Sequence, residues 1–198
     1  MRDIIRELYR IGVVKVGRFV LSSGIESPFY INLRILPSFF QLFKKIVDLV
    51  IDKFRDVIYS SDVIVGVATG GIPLASFISC LSGRGLGYVR GKEKGYGVSG
   101  MVEGVVDGKK VLIVDDVATT GSSLLNAFNV LRENNADVIG ALVLVDREQG
   151  AKEKLEKAGL KFYSLWRVRE IFEILAEEEL IDMRSYKEIM SYLDSFRC

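Results

Sequence analysis

The chain has 198 residues, of which 49% are apolar and 27% charged; this is the composition of a folded domain and excludes an intrinsically disordered protein. Lysine and arginine total 27 against 26 for aspartate and glutamate, so the net charge of +1 gives no support to a large nucleic-acid or anionic-membrane footprint. The absence of histidine excludes Ser-His-Asp and Cys-His catalysis, so any chemistry depends on carboxylates, cations, hydroxyls or backbone amides.

The first third of the chain divides into three segments. Residues 2–10 have the pattern of a short helix, and residues 17–36 that of short strands and loops. From Ser38 to about Asp56 the apolar residues recur at helical spacing, so one long helix is expected there. Ser38 with Gln41 fits a capping box at its start.

The rest of the chain alternates apolar strands with helices. Strands are predicted at residues 62–67, 86–90, 111–115, 138–145 and 161–165. Helices are predicted from about Pro73, over residues 121–134 and 149–158, and through most of the remainder. This alternation predicts an α/β fold with a mainly parallel central sheet flanked by helices. Ligands bind such sheets beyond the carboxyl ends of the strands, so one side of the molecule is expected to collect the loops after Val67, Arg90, Asp115 and Val145.

The segment from Val111 to Ser123 carries the strongest functional signal. Four apolar residues lead to two adjacent carboxylates, Asp115 and Asp116, and a run of small residues then opens a helix. Hydroxyls and free amides at a helix N-terminus bind phosphate, and Gly121 permits a close backbone approach. Paired carboxylates beside a phosphate are consistent with a ligand that also carries ribose hydroxyls or Mg²⁺. An ordinary capped turn between strand and helix is the alternative, and the length of the motif makes it the weaker one.

This segment resembles the phosphoribosyl pyrophosphate (PRPP) fingerprint of the type I phosphoribosyltransferases. In that family the two acidic residues contact the ribose hydroxyls and the following loop encloses the 5′-phosphate. The PRPP-binding residues implied by the resemblance are Asp115, Asp116, Val117, Ala118, Thr119, Thr120, Gly121, Ser122, Ser123, Tyr96, Thr69, Gly70 and Gly71. Mg²⁺ is the implied cofactor, held mainly through PRPP and not by direct protein ligands.

Three further segments resemble the orotate phosphoribosyltransferases of that family. Residues 19–34 are similar to the N-terminal hood, residues 88–97 to the flexible catalytic loop, and residues 143–150 to the segment whose arginine contacts orotate. The implied orotate-binding residues are Thr119, Arg147, Tyr30 and Ser22. Taken alone, Arg147 fits a surface ion pair and Tyr30 fits core packing, so these roles depend on all four segments matching together.

The stretch from Arg90 to Gly100 is charged and rich in glycine. Its last six residues satisfy the GxGxxG spacing of dinucleotide sites, but they neither follow a strand tip nor open a helix, so NAD binding is rejected. The resemblance to the catalytic loop implies that Arg90, Lys92 and Lys94 are catalytic cations that close over the pyrophosphate. Composition alone also fits a solvated charged loop.

Four positions depart from the family pattern. Ser22 stands where many members have a lysine in the hood, and Gly70 where bacterial members often have one after the first strand of the sheet. In the catalytic loop, Gly91 and Tyr96 replace the usual lysine and histidine. Tyrosine donates a hydrogen bond but stays neutral near pH 7, so it cannot supply the charge of a protonated histidine.

The resemblance implies transfer of the 5-phosphoribosyl group from PRPP to N1 of orotate, giving orotidine 5′-monophosphate and pyrophosphate in pyrimidine biosynthesis. It implies a single domain over residues 1–198, with the hood in about 1–36 and the catalytic loop in about 90–101. It also implies a homodimer whose catalytic loop is shared across the interface. Two alternatives stay open: a type I phosphoribosyltransferase acting on a purine or uracil, and a PRPP-binding regulatory protein.

The expected partners are therefore small molecules and a second copy of the chain. No apolar run is long enough to cross a membrane, and the first residues lack the apolar core of a signal peptide. A cytoplasmic enzyme with no membrane or nucleic-acid partner is expected.

Overall fold

The computed structural model describes residues 1–20, 26–91 and 101–196. Its α-helices are α1 (Arg2–Arg10), α2 (Phe40–Lys53), α3 (Arg55–Ser60), α4 (Gly71–Ser82), α5 (Ser122–Glu133), α6 (Ala151–Lys157), α7 (Val168–Glu177) and α8 (Met183–Asp194), and a 3₁₀ helix spans Leu33–Ser38. Its strands are β1 (Val14–Val20), β2 (Glu26–Ile31), β3 (Val63–Val67), β4 (Gly85–Val89), β5 (Val102–Glu103), β6 (Lys110–Ala118), β7 (Asp137–Asp146) and β8 (Phe162–Arg167). Within these described ranges, no helix has the length and apolar character that crossing a bilayer requires.

Six strands form one sheet in the order β5-β4-β3-β6-β7-β8. All neighbouring pairs are parallel except β4 and β5, so the predicted α/β fold with a mainly parallel sheet is confirmed. From β3 the chain crosses to β4 on one side, whereas β6, β7 and β8 follow in order on the other. The strand order therefore changes direction between β3 and β6, and the crevice beyond their carboxyl ends is where such sheets bind ligands.

Successive residues of β6 face two different cores, which explains its unbroken apolar sequence. Leu112 and Val114 pack into the larger core with α2, α4 and α7. Val111 and Ile113 pack into a second core with α5 and α6. A strand buried on both faces lacks the alternation of apolar and polar residues seen in a half-exposed strand.

The single helix predicted from Ser38 to about Asp56 is wrong at both ends. Ser38 ends the 3₁₀ helix and α2 begins only at Phe40, with no capping side chain, so the predicted capping box does not form. At the other end α2 stops at Phe54, whose ring packs edge-on against Tyr163 of β8 at a centroid distance of 5.8 Å, and α3 follows. A long-range aromatic contact therefore accompanies the break in a segment whose local spacing is helical.

The hood is a two-stranded antiparallel sheet of β1 and β2. Ser27 and Phe29 point into the core, whereas Tyr30 points outward, as the alternation of a strand requires. The Phe29 ring lies 5.0 Å from Phe172 of α7 and 5.9 Å from Tyr192 of α8. These aromatic contacts hold the hood against the C-terminal helices.

Candidate active site

An acidic pair lies at the carboxyl end of β6. The strand runs to Ala118, further than predicted, so both Asp115 and Asp116 belong to it together with Val117. Asp115 is only 8% exposed, and its Oδ1 accepts a hydrogen bond of 2.9 Å from the Asp116 amide. Burial, and then the neighbouring Asp116 charge, raise the pKa of Asp115 well above its ordinary value. A ligand that brings hydroxyl donors or positive charge therefore relieves an unfavourable arrangement.

Two glycines bring the loop after β3 against this pair. A Cβ atom on Gly70 would lie 2.5–2.7 Å from the carboxylate atoms of Asp116, and one on Gly71 would overlap the carbonyl oxygen of Val114. The residue at position 70 must therefore lack a side chain while Asp116 keeps its position. The lysine that bacterial relatives often have at position 70 does not fit beside Asp116 as it is placed here.

The predicted phosphate loop leads directly into α5. Gly121 has φ +73°, and a Cβ atom on it would lie 3.1 Å from the Ala151 backbone, so both conformation and space favour glycine. The N-cap residue of α5 is Gly121, so the first turn of this helix is not capped by the side chain of its own N-cap residue. Thr120 Oγ1 and Ser122 Oγ are 3.0 Å apart, and Lys154 Nζ donates to Ser122 Oγ at 2.8 Å.

Lys154 was not found by the sequence analysis. It lies on α6, 32 residues beyond Ser122, and no motif links the two positions. Their contact exists because α5 and α6 lie on the same face of the sheet, where their apolar residues share one core. A cation is thereby added to the loop predicted to bind a phosphate.

Arg147 follows β7, and its guanidinium is buried with no counter-ion in the part of the chain that the structure describes. It is 6% exposed, and among the residues described no carboxylate lies within ion-pair distance of its guanidinium. Its Nη2 is 3.4 Å from Ser27 Oγ, its guanidinium carbon lies 4.7 Å from the centre of the Phe29 ring, and its Nε has no hydrogen-bond partner. Burial lowers the pKa of Arg147, and the Tyr192 phenol oxygen beside it opposes that effect. A buried, unpaired guanidinium is a receptor for an anion.

The surroundings of Arg147 combine predicted and unpredicted residues. Its amide donates to the Ala118 carbonyl at 2.9 Å, which fixes it beside the acidic strand. Tyr30 is 38% exposed and close enough for its oxygen to raise the pKa of Arg147, so core packing does not describe it. Ser27 and Phe29 lie within the hood sequence, but its pattern alone did not distinguish them from core residues.

Arg90 lies at the same edge of the sheet, immediately after β4. Its amide donates to the Met101 carbonyl at 2.7 Å, and its Nη2 forms an ion pair of 2.6 Å with Glu103 of β5. Glu103 had no predicted role. Four other predicted site residues lie outside the described residues: Lys92, Lys94, Tyr96 and Ser22.

A small cavity of about 130 Å³ adjoins the acidic pair. Its lining is largely apolar, with Thr69, Gly70 and Asp116 on one side and Arg34 of the 3₁₀ helix on another. The positive charge of Arg34 lowers the pKa of Asp115, against the larger effects of burial and Asp116. The structure thus brings together the predicted loops after β3, β6 and β7, and adds Arg34 from the hood.

Known proteins match both the sequence and the fold. Residues 38–168 match the phosphoribosyl transferase domain family. The orotate phosphoribosyltransferase of Sulfurisphaera tokodaii is 44% identical over 191 residues, which cover 96% of this chain and 97% of that relative. The crystal structure of orotate phosphoribosyltransferase from Aeropyrum pernix has a TM-score of 0.80 and 39% identity, covering 87% of this chain and 98% of the other. The Mycobacterium tuberculosis enzyme in complex with PRPP has a TM-score of 0.70 and 29% identity, covering 86% and 97%.

Proposed function

The chain belongs to the phosphoribosyl transferase domain family and, within it, to the orotate phosphoribosyltransferases, and from this membership we infer that it transfers the 5-phosphoribosyl group of PRPP to orotate. The products are orotidine 5′-monophosphate and pyrophosphate, a step of pyrimidine biosynthesis. The observation that carries the choice of orotate is Arg147, which directly follows the strand beside the acidic pair and whose buried guanidinium has no counter-ion among the described residues. A base that carries a carboxylate supplies the missing charge.

The ribose is assigned to the end of β6. Asp115 and Asp116 accept hydrogen bonds from the 2′ and 3′ hydroxyls of the ribose. These neutral donors offset the repulsion between the two carboxylates. As pyrophosphate leaves C1, positive charge develops on the ribose ring. Two carboxylates already fixed at that edge stabilise this charge without having to reorient.

The 5′-phosphate is assigned to the start of α5. The free amides and positive dipole end of the helix favour an anion there. Small residues line the approach: Val117, Ala118, Thr119, Thr120, Gly121, Ser122 and Ser123. The ammonium of Lys154, 2.8 Å from Ser122 Oγ, adds a positive charge on the side of α6.

The pyrophosphate is assigned to the loop of Thr69, Gly70 and Gly71, whose approach to Asp116 leaves no room for a side chain at position 70. Arg90, Lys92 and Lys94 neutralise the leaving group, and Tyr96 donates a hydrogen bond to it. Arg90 exchanges its ion pair with Glu103 for the pyrophosphate when PRPP binds.

Mg²⁺ is assigned to the same end of the site, held mainly by PRPP. Mg²⁺ keeps several water ligands and binds proteins through one or two carboxylates together with substrate phosphate oxygens. In the described part of the chain no group of three acidic or cysteine side chains could hold a metal ion. The carboxylate of Asp116 lies beside Gly70 of the loop assigned to the pyrophosphate. When bound, Mg²⁺ supplies positive charge that stabilises the departing pyrophosphate.

Orotate is assigned to the space between β2 and β7. The planar fork of Arg147 matches a carboxylate bidentately, and Thr119, Tyr30 and Ser22 complete the contacts to the base. Orotate is anionic at neutral pH, so the transfer needs no strong general base. A chain without histidine is consistent with that requirement.

A homodimer is part of the proposal. The helix α4 carries no charged side chain, its Leu81 is 43% exposed, and Leu86 on the adjacent β4 is 46% exposed. Exposed apolar surfaces of this kind mark contacts between proteins. A second copy seated on this face packs beside β4, the strand that leads to Arg90. The cytoplasmic location expected from the sequence stays a prediction.

The reaction is tested by following the loss of orotate absorbance with PRPP and Mg²⁺ present and each omitted in turn. We expect consumption only when both are present, with orotidine 5′-monophosphate and pyrophosphate as products. Turnover of a purine or uracil in place of orotate would support the first alternative. Binding of PRPP without turnover of any base would support a regulatory protein.

Sharing of the site between subunits is tested by mixing two inactive variants, Arg90→Ala and Asp116→Asn. If the loop of one subunit serves the other's site, random mixing restores up to about a quarter of the activity, because some sites receive two intact halves. Proven subunit exchange without recovery would exclude this arrangement. The control is each variant taken alone through the same subunit-exchange procedure.

A further inference from the structure

The residues after Arg147 are held by the C-terminal helices. Glu148 has φ +56°, a left-handed conformation that is costly for a residue with a side chain and persists where neighbours impose it. Its carboxylate accepts a hydrogen bond of 3.0 Å from the amide of Arg169 on α7. Gln149 donates from Nε2 to the hydroxyl oxygen of Tyr192 on α8 at 3.1 Å. The segment carrying the anion receptor therefore depends on α7 and α8 for its conformation.

Tyr192 reaches Arg147 by two routes. Its ring stands edge-on to Phe29, with centroids 5.9 Å apart and planes at 83°, and Phe29 is the ring beneath the guanidinium. Its hydroxyl oxygen accepts a hydrogen bond from Gln149, two residues after Arg147, and Tyr192 raises the pKa of Arg147 against the larger effect of burial.

The remaining contacts of the guanidinium do not fix its orientation. A ring stacked beneath a planar guanidinium holds the plane but permits rotation within it. The contact from Nη2 to Ser27 Oγ is 3.4 Å, longer than an ordinary hydrogen bond, and Nε has no partner. A firmer anchor lies two residues along the chain, where Gln149 donates to the Tyr192 hydroxyl oxygen at 3.1 Å.

We propose that Tyr192 is a positioning residue that orients the fork of Arg147 toward the orotate carboxylate. The inference rests on the proposed function and deepens it, because it makes the C-terminal helix α8 part of the selection of orotate over bases without a carboxylate. Bidentate binding needs both N–H groups directed at the two carboxylate oxygens, so a rotated fork loses one of the two bonds.

The test is Tyr192→Phe, which keeps the ring contacts with Phe29 and with Phe196 at 5.1 Å and removes only the oxygen. We expect the KM for orotate to rise about tenfold, the scale of one lost hydrogen bond to a charged group. The KM for PRPP is expected to stay unchanged. The preference for orotate over uracil, which lacks the carboxylate, falls by the same factor. Tyr186→Phe, on the same helix, is the matched control and leaves all three quantities unchanged.

A coupling measurement separates positioning from general support of the fold. In an Arg147→Met background, Tyr192→Phe is expected to have no further effect on the binding of orotidine 5′-monophosphate, because the group it positions is gone. An active Tyr192→Phe enzyme with unchanged orotate KM, or with equal rises in the KM for orotate and PRPP, overturns this inference alone. A wild-type enzyme that never consumes orotate overturns the proposed function and this inference with it.

Discussion

Replacing Arg147 by methionine is expected to stabilise the free protein while removing orotate binding. The buried guanidinium has an unpartnered Nε and one long contact of 3.4 Å to Ser27. A buried polar group left unsatisfied costs about 1–3 kcal/mol, whereas the stacking on Phe29 returns about 0.5–2 kcal/mol. Methionine keeps apolar contact with that ring and carries no charge. The free energy of unfolding is therefore expected to rise by about 1–2 kcal/mol, or the melting temperature by roughly 2–8 °C for a chain of this length.

The assay is chemical denaturation with and without orotidine 5′-monophosphate, together with steady-state kinetics. At about 100 times its Kd, the nucleotide stabilises wild type by about 2.7 kcal/mol, so the order of stability reverses when ligand is added. Arg132→Met is the matched control, because Arg132 also stacks on a phenylalanine, at 5.4 Å from the Phe128 ring, but is exposed. The reasoning fails if Arg147→Met is less stable than wild type without ligand, or if the nucleotide stabilises the variant as much as it stabilises wild type.

Three other substitutions test separate features. Burial raises the pKa of Asp146 to about 6, above its unfolded value of 3.8. The ionised carboxylate is therefore disfavoured in the folded state, and the stability of wild type falls as the pH rises from about 4 to about 6. The Asp146→Asn variant has no carboxylate to ionise, so its free energy of unfolding, measured by denaturation, should equal that of wild type at pH 4 and exceed it by up to about 3 kcal/mol at pH 8. A stability difference that does not change with pH would contradict this expectation. The Gly70→Ala variant displaces the carboxylate of Asp116. Because overpacking costs about 1–3 kcal/mol, kcat/KM for PRPP is expected to fall about tenfold. An unchanged kcat/KM would mean that Asp116 moves aside without cost. Lys154→Met is expected to raise the KM for PRPP about two- to fivefold, the scale of an exposed charge contact, whereas Lys152→Met on the same helix leaves it unchanged.

Local sequence patterns were enough for the class of fold and for the acidic end of the site. Apolar runs bounded by glycine and polar residues located β3, β6 and β7 within a few residues, because strands buried on both faces need such runs. The adjacent Asp115 and Asp116 and the small residues before α5 are contiguous in the chain, so a motif can carry them. Arg147 was assigned differently, through the resemblance of residues 143–150 to the segment whose arginine contacts orotate, because its position alone also fits a surface ion pair.

Contacts between distant segments lay beyond those patterns. The break of α2 at Phe54 accompanies packing on Tyr163, and the contact of Lys154 with Ser122 exists because two helices share one core. Tyr192 is 45 residues from Arg147 in the sequence and meets it only because α8 packs on the hood. Local spacing reports which face of an element is apolar, but it carries no information about which other element covers that face. The residues that hold the base-binding arginine in place are therefore decided by how the hood, the sheet and the C-terminal helices pack together.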